Sequence, residues 1–363
     1  MISLQKIVLS IFLAVYAASV GAQVTVGVIE GDGTVIVPSY RLPPSPYMSP
    51  EARKALPRTV SEDGNDSWAQ MMTNGTARVQ RHTTTQNPAW IRHISDRYPV
   101  QTEEITIAGI HAYRVTPLGG VPKHNRGKVL INLPGGGFVG ASAADGGLNE
   151  SIPVAALARV EVITLDYRQA PEAKFPAASE DVAAVYRALL KTHKAINIGM
   201  FGCSAGGLLT AQSLAWFDKE HLPMPAAAGI FCASADARWG GDSWSWQKPI
   251  LGLATAPTLD ERFYYGDHDL ADPLMSPIES LAILSRFPPT LFITGSRAPE
   301  LSAAINTHRL LTKVGVQADL HVWDGMGHGF FNNVDLPESR EAFDVIARFF
   351  QAHLGHRRAT RLY

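Results

Sequence analysis

The stretch GMFGCSAGGLL, Gly199 to Leu209, decides how this chain folds. An apolar run enters it and a helix-compatible run leaves it. At the join, Gly202-Cys203-Ser204-Ala205-Gly206 spells G-x-S-x-G. The pattern suits a serine on a sharp strand-to-helix turn. Such a turn is strained, so the residues two positions to either side must be tiny, and both are glycine. The following helix would point its N-terminal dipole at negative charge developing beside Ser204. The plainer reading is a glycine-rich turn that happens to carry a serine.

Outward from this turn, short apolar runs recur. They are GKVLINL, VEVITLDY, NIGMFG, AAAGIFCAS, PTLFITG and ADLHVW, the kind that fill buried parallel strands. Helical patterns over 180–191, 205–218, 301–314 and 338–354 separate most of them. EITIAGIHAYRV, from Glu104, alternates weakly and suggests antiparallel strands. Strand and helix alternating in this way predict an α/β fold with a mostly parallel central sheet flanked by helices. The expected catalytic domain runs over 103–355, with a cap insertion near 237–265. Residues 23–102 read as an N-terminal cap, because Pro38, Pro43, Pro44, Pro46, Pro50 and Pro57 prevent long elements there. A short helix is expected around Pro50 to Leu56.

A second glycine turn, LINLPGGGFVG (Leu130 to Gly140), admits two chemistries. Gly135-x-Gly137-x-x-Gly140 satisfies the dinucleotide fingerprint, and Asp166 ends the next apolar run. Alternatively, backbone N–H groups of Gly136 and Gly137, with Ala205, form an oxyanion hole. Glycine lets the backbone reach the substrate with no Cβ in the way. DGMGHGFF, Asp324 to Phe331, favours the second reading. It sets His328 between glycines after the last strand-like run, and serine before histidine is the α/β-hydrolase order.

Taken together, PGGGFVG, DYRQAPEAKFPAA (Asp166 to Ala178), GCSAGG, DPLMSP (Asp272 to Pro277) and GMGHGF resemble the bacterial hormone-sensitive-lipase-like carboxylesterases. The resemblance covers roughly Lys128 to the C-terminal helix. It implies an α/β-hydrolase fold with an N-terminal cap, and a serine carboxylesterase of short- to medium-chain esters needing no cofactor. Three positions depart from the family pattern. Pro134 stands where the family has histidine and Cys203 where it has aspartate. Ala298, in TGSRAPELS, stands where the family places its catalytic acid. A triad that loses its acid loses about 10⁴ in rate. Glu300, two residues on, is the first candidate to replace it, and Asp236 the alternative. A plain first-turn helix residue is the competing reading of Glu300. Ala298 also keeps open a non-catalytic ligand-binding protein of the same fold, and the fingerprint a nicotinamide-dependent oxidoreductase. Phe138, Trp239 and Trp244 are candidates for the substrate pocket, with core packing as their other reading. Asp166 is expected to pair locally, and Tyr167 and Arg168 to fix the loop beneath the site.

Composition narrows the classes further. The chain has 363 residues, 46% hydrophobic, with a formal net charge of −1. This offers no basic surface for nucleic acid. The histidines lack H-x-x-x-H spacing, so no metal is expected. Lys6, the apolar stretch from Ile7 to Ser19 and the small residues Val20 to Ala22 read as a signal peptide, 1–22. The mature chain is then secreted or periplasmic, with no membrane span, and 356–363 is a solvated tail. Cys203 and Cys232 bridge only if neighbouring strands bring them together. Asn65, Asn74 and Asn149 match the glycosylation pattern.

Overall fold

The computed structural model describes residues 27–56, 88–140, 142–247 and 262–356. The expected signal peptide, Asn65, Asn74, the end of the tail and much of the cap segments lie outside them. Two compact units divide the chain at Pro44. In the first, β1 (Val28–Ile29) and β2 (Val35–Ile36) pair antiparallel, and their side chains are exposed.

The second unit begins with α1 (Pro50–Ala55), capped by Ser49 Oγ, which accepts the Ala52 N–H at 3.0 Å. Then come α2 (Pro88–Arg97), β3 (Val100–Ile107), β4 (Ile110–Pro117), β5 (Val129–Leu133), α3 (Leu148–Ala158) and β6 (Glu161–Leu165). After these, α4 (Ala177–Leu190), β7 (Ile198–Cys203), α5 (Ala205–Lys219), β8 (Ala227–Phe231), α6 (Asp242–Gln247) and α7 (Arg262–Tyr265) follow. The chain closes with α8 (Leu281–Leu284), β9 (Thr290–Arg297), α9 (Leu301–Lys313), β10 (Ala318–Gly327) and α10 (Pro337–His353).

Eight strands form one sheet in the order β10-β9-β8-β7-β5-β6-β4-β3. β5 to β10 run parallel to one another, and β4 pairs antiparallel with both β6 and β3. Side chains alternate across a strand. In β5, Val129, Ile131 and Leu133 therefore enter one apolar layer and Leu130 the other. From Ala205 to Phe217, every residue of α5 is buried, as expected of a helix apolar nearly all round. Because β5 lies between β7 and β6, the strand order reverses there, where open α/β sheets form their ligand crevice.

The segment from Ser45 to Ala55 straps the far end of the chain. Ser45 Oγ donates to Asp324, and Ser49 donates through N–H and Oγ to Glu338 at 2.6 and 2.9 Å. Met48 packs so closely on Gly325 that a Cβ there would lie 2.6 Å from its sulfur.

The tightest contact joins the turn after β7 to the end of β5. A Cβ on Gly206 would sit 1.7 Å from the Leu133 carbonyl oxygen, and one on Gly202 2.3 Å from the same atom. Backbone cannot yield as a flexible side chain can. Gly206→Ala is therefore expected to destabilise the fold by about 3 kcal/mol, read as a lowered urea midpoint.

Candidate active site

Four strand ends build the site. β7 delivers Ser204 on a strained turn, with φ 59° and ψ −127°. Holding a non-glycine residue there costs on the order of 1–3 kcal/mol, which the surrounding backbone contacts sustain. β5 runs into the glycine loop, where Gly136 and Gly137 have φ of 141° and 62°. These values favour glycine over any residue with a Cβ. β9 leads to Glu300 and β10 directly to His328.

His328 Nε2 lies 3.0 Å from Ser204 Oγ, and His328 Nδ1 lies 2.9 Å from Glu300 Oε2. Thr294 Oγ1 donates to the other Glu300 oxygen at 2.9 Å. Thus Glu300, not Asp236, meets the histidine. Asp236 is instead held by Arg238 Nε at 2.8 Å. Ala298 is fully buried, and its N–H donates to the Gly295 carbonyl. The acid arrives one tight turn later on a longer side chain. Burial opposes the charge on Glu300. The positive charge and hydrogen bond of His328, with donors from its own backbone and Thr294, outweigh burial and hold its pKa below the usual range. Burial likewise opposes the imidazolium, but Glu300 outweighs it and raises His328 above its ordinary 6.5. The His328 side chain remains 32% exposed, open to a substrate.

A cavity of about 220 Å³ opens at Ser204, lined by residues including Gly135, Gly136, Glu150, His328 and Asn332. Gly137 follows Gly136 along the loop, and Ala205 opens α5 beside Ser204. Tyr167 Oη donates to the Pro134 carbonyl at 2.6 Å, steadying the loop where the family's histidine is missing. Arg168 pairs with Asp181 at 2.8 Å. Asp166 binds His111 and the Ala143 N–H at 2.5 and 2.6 Å, so its acceptors are spent locally rather than on a ribose.

The aromatic candidates separate. Trp239 lies beside the site, its ring centroid 5.8 Å from that of His328. Phe138 does not line the cavity. It stacks on Tyr264 at 4.4 Å and sits among Tyr167 and Tyr265, which makes it core. Trp244 is half-buried on α6, a helix tied to Pro299 and Ser302 through Ser243, and does not border the cavity.

Both cysteines are free and buried, although neighbouring strands do bring them together. The Cys232 thiol and burial push the Cys203 thiol well above its usual range. Cys232 Sγ also accepts the Gly329 N–H at 3.2 Å. Among the described residues, Cys232, Glu300 and His328 present metal-ligand atoms within 4.8 Å of one another. All three are already engaged by protein partners. Asn149 is buried on α3, with its Oδ1 3.3 Å from Trp90 Nε1, so it is no glycosylation site.

Three positions escaped the sequence reading: Asn132, Glu150 and Thr294. Asn132 Nδ2 donates to Glu150 at 2.8 Å, and Thr164 donates to Asn132 at 2.7 Å. A polar residue inside an apolar strand, as in VLINL, was the available signal for Asn132.

Sheet order, strained turn and histidine loop together define the α/β-hydrolase class. A sequence profile described as alpha/beta hydrolase fold matches residues 130–332, and the chain belongs to that family. It is 31% identical over 240 residues to an acetyl-hydrolase of Streptomyces hygroscopicus, covering 64% of this chain and 79% of the relative. The solved structure of an esterase E25 is similar with TM-score 0.74 and 31% identity, covering 88% of this chain and 98% of that one. A hormone-sensitive lipase from a metagenome library is similar with TM-score 0.66 and 26% identity, covering 80% and 99%.

Two outcomes follow from this geometry. His328 can take a proton only when neutral, and Glu300 raises its pKa. The rising limb of kcat/KM against pH should therefore have its midpoint above 6.5. Glu300→Gln removes the charge, so that midpoint should move to lower pH while the plateau falls by about 10³–10⁴-fold. Asp236→Asn, measured alongside, should change the rate less than about twofold. Separately, Phe138→Ala should lower stability by about 3–4 kcal/mol in urea unfolding with KM little changed.

Proposed function

We propose that the chain is a serine carboxylesterase acting on short- to medium-chain carboxylic esters through an acyl-enzyme. The observation that carries this is the unbroken line from Glu300 through His328 to Ser204, which borders the cavity beside the glycine loop. Ser204 Oγ attacks the ester carbonyl as His328 Nε2 takes its proton. The carbonyl oxygen gathers negative charge and rests on the N–H groups of Gly136, Gly137 and Ala205. The intermediate collapses, and the alcohol leaves with the proton from His328. Water then enters, gives a proton to His328 and attacks the acyl carbon. The acid departs as Ser204 recovers its proton. Throughout, Glu300 holds the imidazole tautomer and offsets its charge.

The small cavity and the likeness to an acetyl-hydrolase support short acyl groups. No cofactor enters these steps. The apolar stretch from Ile7 to Ser19 and the small residues before Gln23 support export with removal of about the first 22 residues. Among the described residues, no helix is long and apolar enough to cross a membrane.

Hydrolysis of p-nitrophenyl acetate tests the mechanism. Ser204→Ala should abolish it, and an organophosphate should label the wild type at Ser204. Turnover undiminished in that variant would refute the serine role. Mass spectrometry of exported protein should find a mature chain beginning near Gln23, and an intact Met1 would refute export with cleavage.

A further inference from the structure

Glu150 is a buried acid that the steps above do not use. It sits on α3 in a run of buried residues, 2% exposed, and its carboxyl borders the cavity at Ser204. Its contacts reach three separate parts of the site. Asn132 on β5 donates to Oε2 at 2.8 Å, and Asn132 is itself fixed by Thr164 on β6. Gly135, on the glycine loop, and Cys203, the residue before the nucleophile, line the same cavity as this carboxyl, and their backbone N–H groups favour its charged form.

Gly135 immediately precedes Gly136 and Gly137, whose N–H groups face the developing oxyanion. Cys203 immediately precedes Ser204. The two backbones already touch: a Cβ on Gly135 would lie 2.8 Å from the Cys203 carbonyl oxygen and 3.1 Å from Ser204 Cβ. One side chain, tied to β5 through Asn132, therefore lies at the seam where nucleophile and oxyanion donors meet. The family pattern would place a histidine at Pro134 and an aspartate at Cys203. Proline has no N–H to give, and the Cys203 thiol is turned to Cys232. Neither residue can brace this seam through a carboxylate or imidazole.

We propose that Glu150 is the positioning residue of the oxyanion hole, locking the glycine loop to the nucleophile turn so that Gly136, Gly137 and Ser204 keep their working spacing. It acts through backbone and forms no bond to substrate. Burial pushes its carboxyl up to about 8, against the donors from Asn132, Gly135 and Cys203. Glutamine keeps the length of the side chain and an acceptor oxygen for Asn132, and is its nearest neutral mimic.

The proposal rests on the serine mechanism, and kinetics with a transition-state analogue tests it. Misplacing a catalytic group by about 1 Å costs on the order of 10²-fold in rate. Glu150→Leu should lower kcat by about that factor, with KM changed less than about threefold. Glu150→Asp, which withdraws the carboxyl by one methylene, should lose kcat in the same way and serves if the leucine variant does not fold. Glu150→Gln should recover the rate to within about fivefold of wild type, about the worth of one hydrogen bond. Affinity for an aryl trifluoromethyl ketone, whose adduct with serine places an oxyanion in the hole, should fall in proportion to kcat/KM. A folded leucine or aspartate variant with wild-type kcat would overturn the assignment. So would a rate loss with unchanged affinity for the ketone. Ser204→Ala keeps the two readings apart: if it is inactive while the Glu150 variants are unimpaired, the serine mechanism stands and the brace falls.

Discussion

The approach of the turn after β7 to the Leu133 carbonyl is the constraint on which the site depends. Parallel pairing of β5 and β7 brings Leu133 level with Gly202. The start of α5 must then pass over that carbonyl with no side chain between, which only Gly202 and Gly206 allow. The same closeness forces Ser204 into its strained conformation and carries Gly135 against its Cβ. Nucleophile and glycine loop are thus neighbours because two strands are neighbours, and little freedom is left between them. Electrostatic catalysis gains from that rigidity, since donors already in place need no reorganisation as charge develops.

The acid illustrates a different tolerance. A triad requires a carboxylate at the imidazole Nδ1, but it does not require a particular chain position. Residues 298–300 form a turn in which Ala298 fits a space closed to solvent. Glu300, at the start of the next helix, spans the remaining gap with its extra methylene. Thr294 takes the second oxygen, so the buried charge is satisfied on both sides. Burial without those partners would leave a protonated acid, unable to support an imidazolium.

Much of this was legible in the chain itself. The six apolar runs from Val129 onward became β5 to β10, because buried parallel strands are written as continuous hydrophobic segments. Ser204 and His328 could be picked out because glycine marks the backbone geometry that each requires. Glu300 could be ranked ahead of Asp236 but not told from an ordinary first-turn helix residue, since that choice turns on side-chain reach across two strands. Phe138 looked like a pocket residue because it follows the glycines; whether a ring points to substrate or core depends on Tyr264, 126 positions away in sequence and joined only by folding. Glu150 stayed hidden for the same reason. In the sequence it belonged to an apparent glycosylation motif, and only the packing of α3 against β5 and β6 gives it partners.

The strap from Ser45 to Ala55 also orders events in time. Ser45 is synthesised 279 residues before Asp324, the group it donates to. Chains grow and fold from the N-terminus, so the first-made part of this unit waits for one of the last. Closing so long a loop adds little to the equilibrium cost, which grows only with the logarithm of length. Its effect falls on sequence of assembly. The sheet from β3 to β9 can pair while the strap is still unattached, but the turn at Gly325 that leads into His328 is clamped only when β10 arrives. Phe343, Ile346 and Phe350 of α10 are made later still and belong to one of the two core layers, so the clamp on the histidine turn and that layer both await the last-made part of the chain.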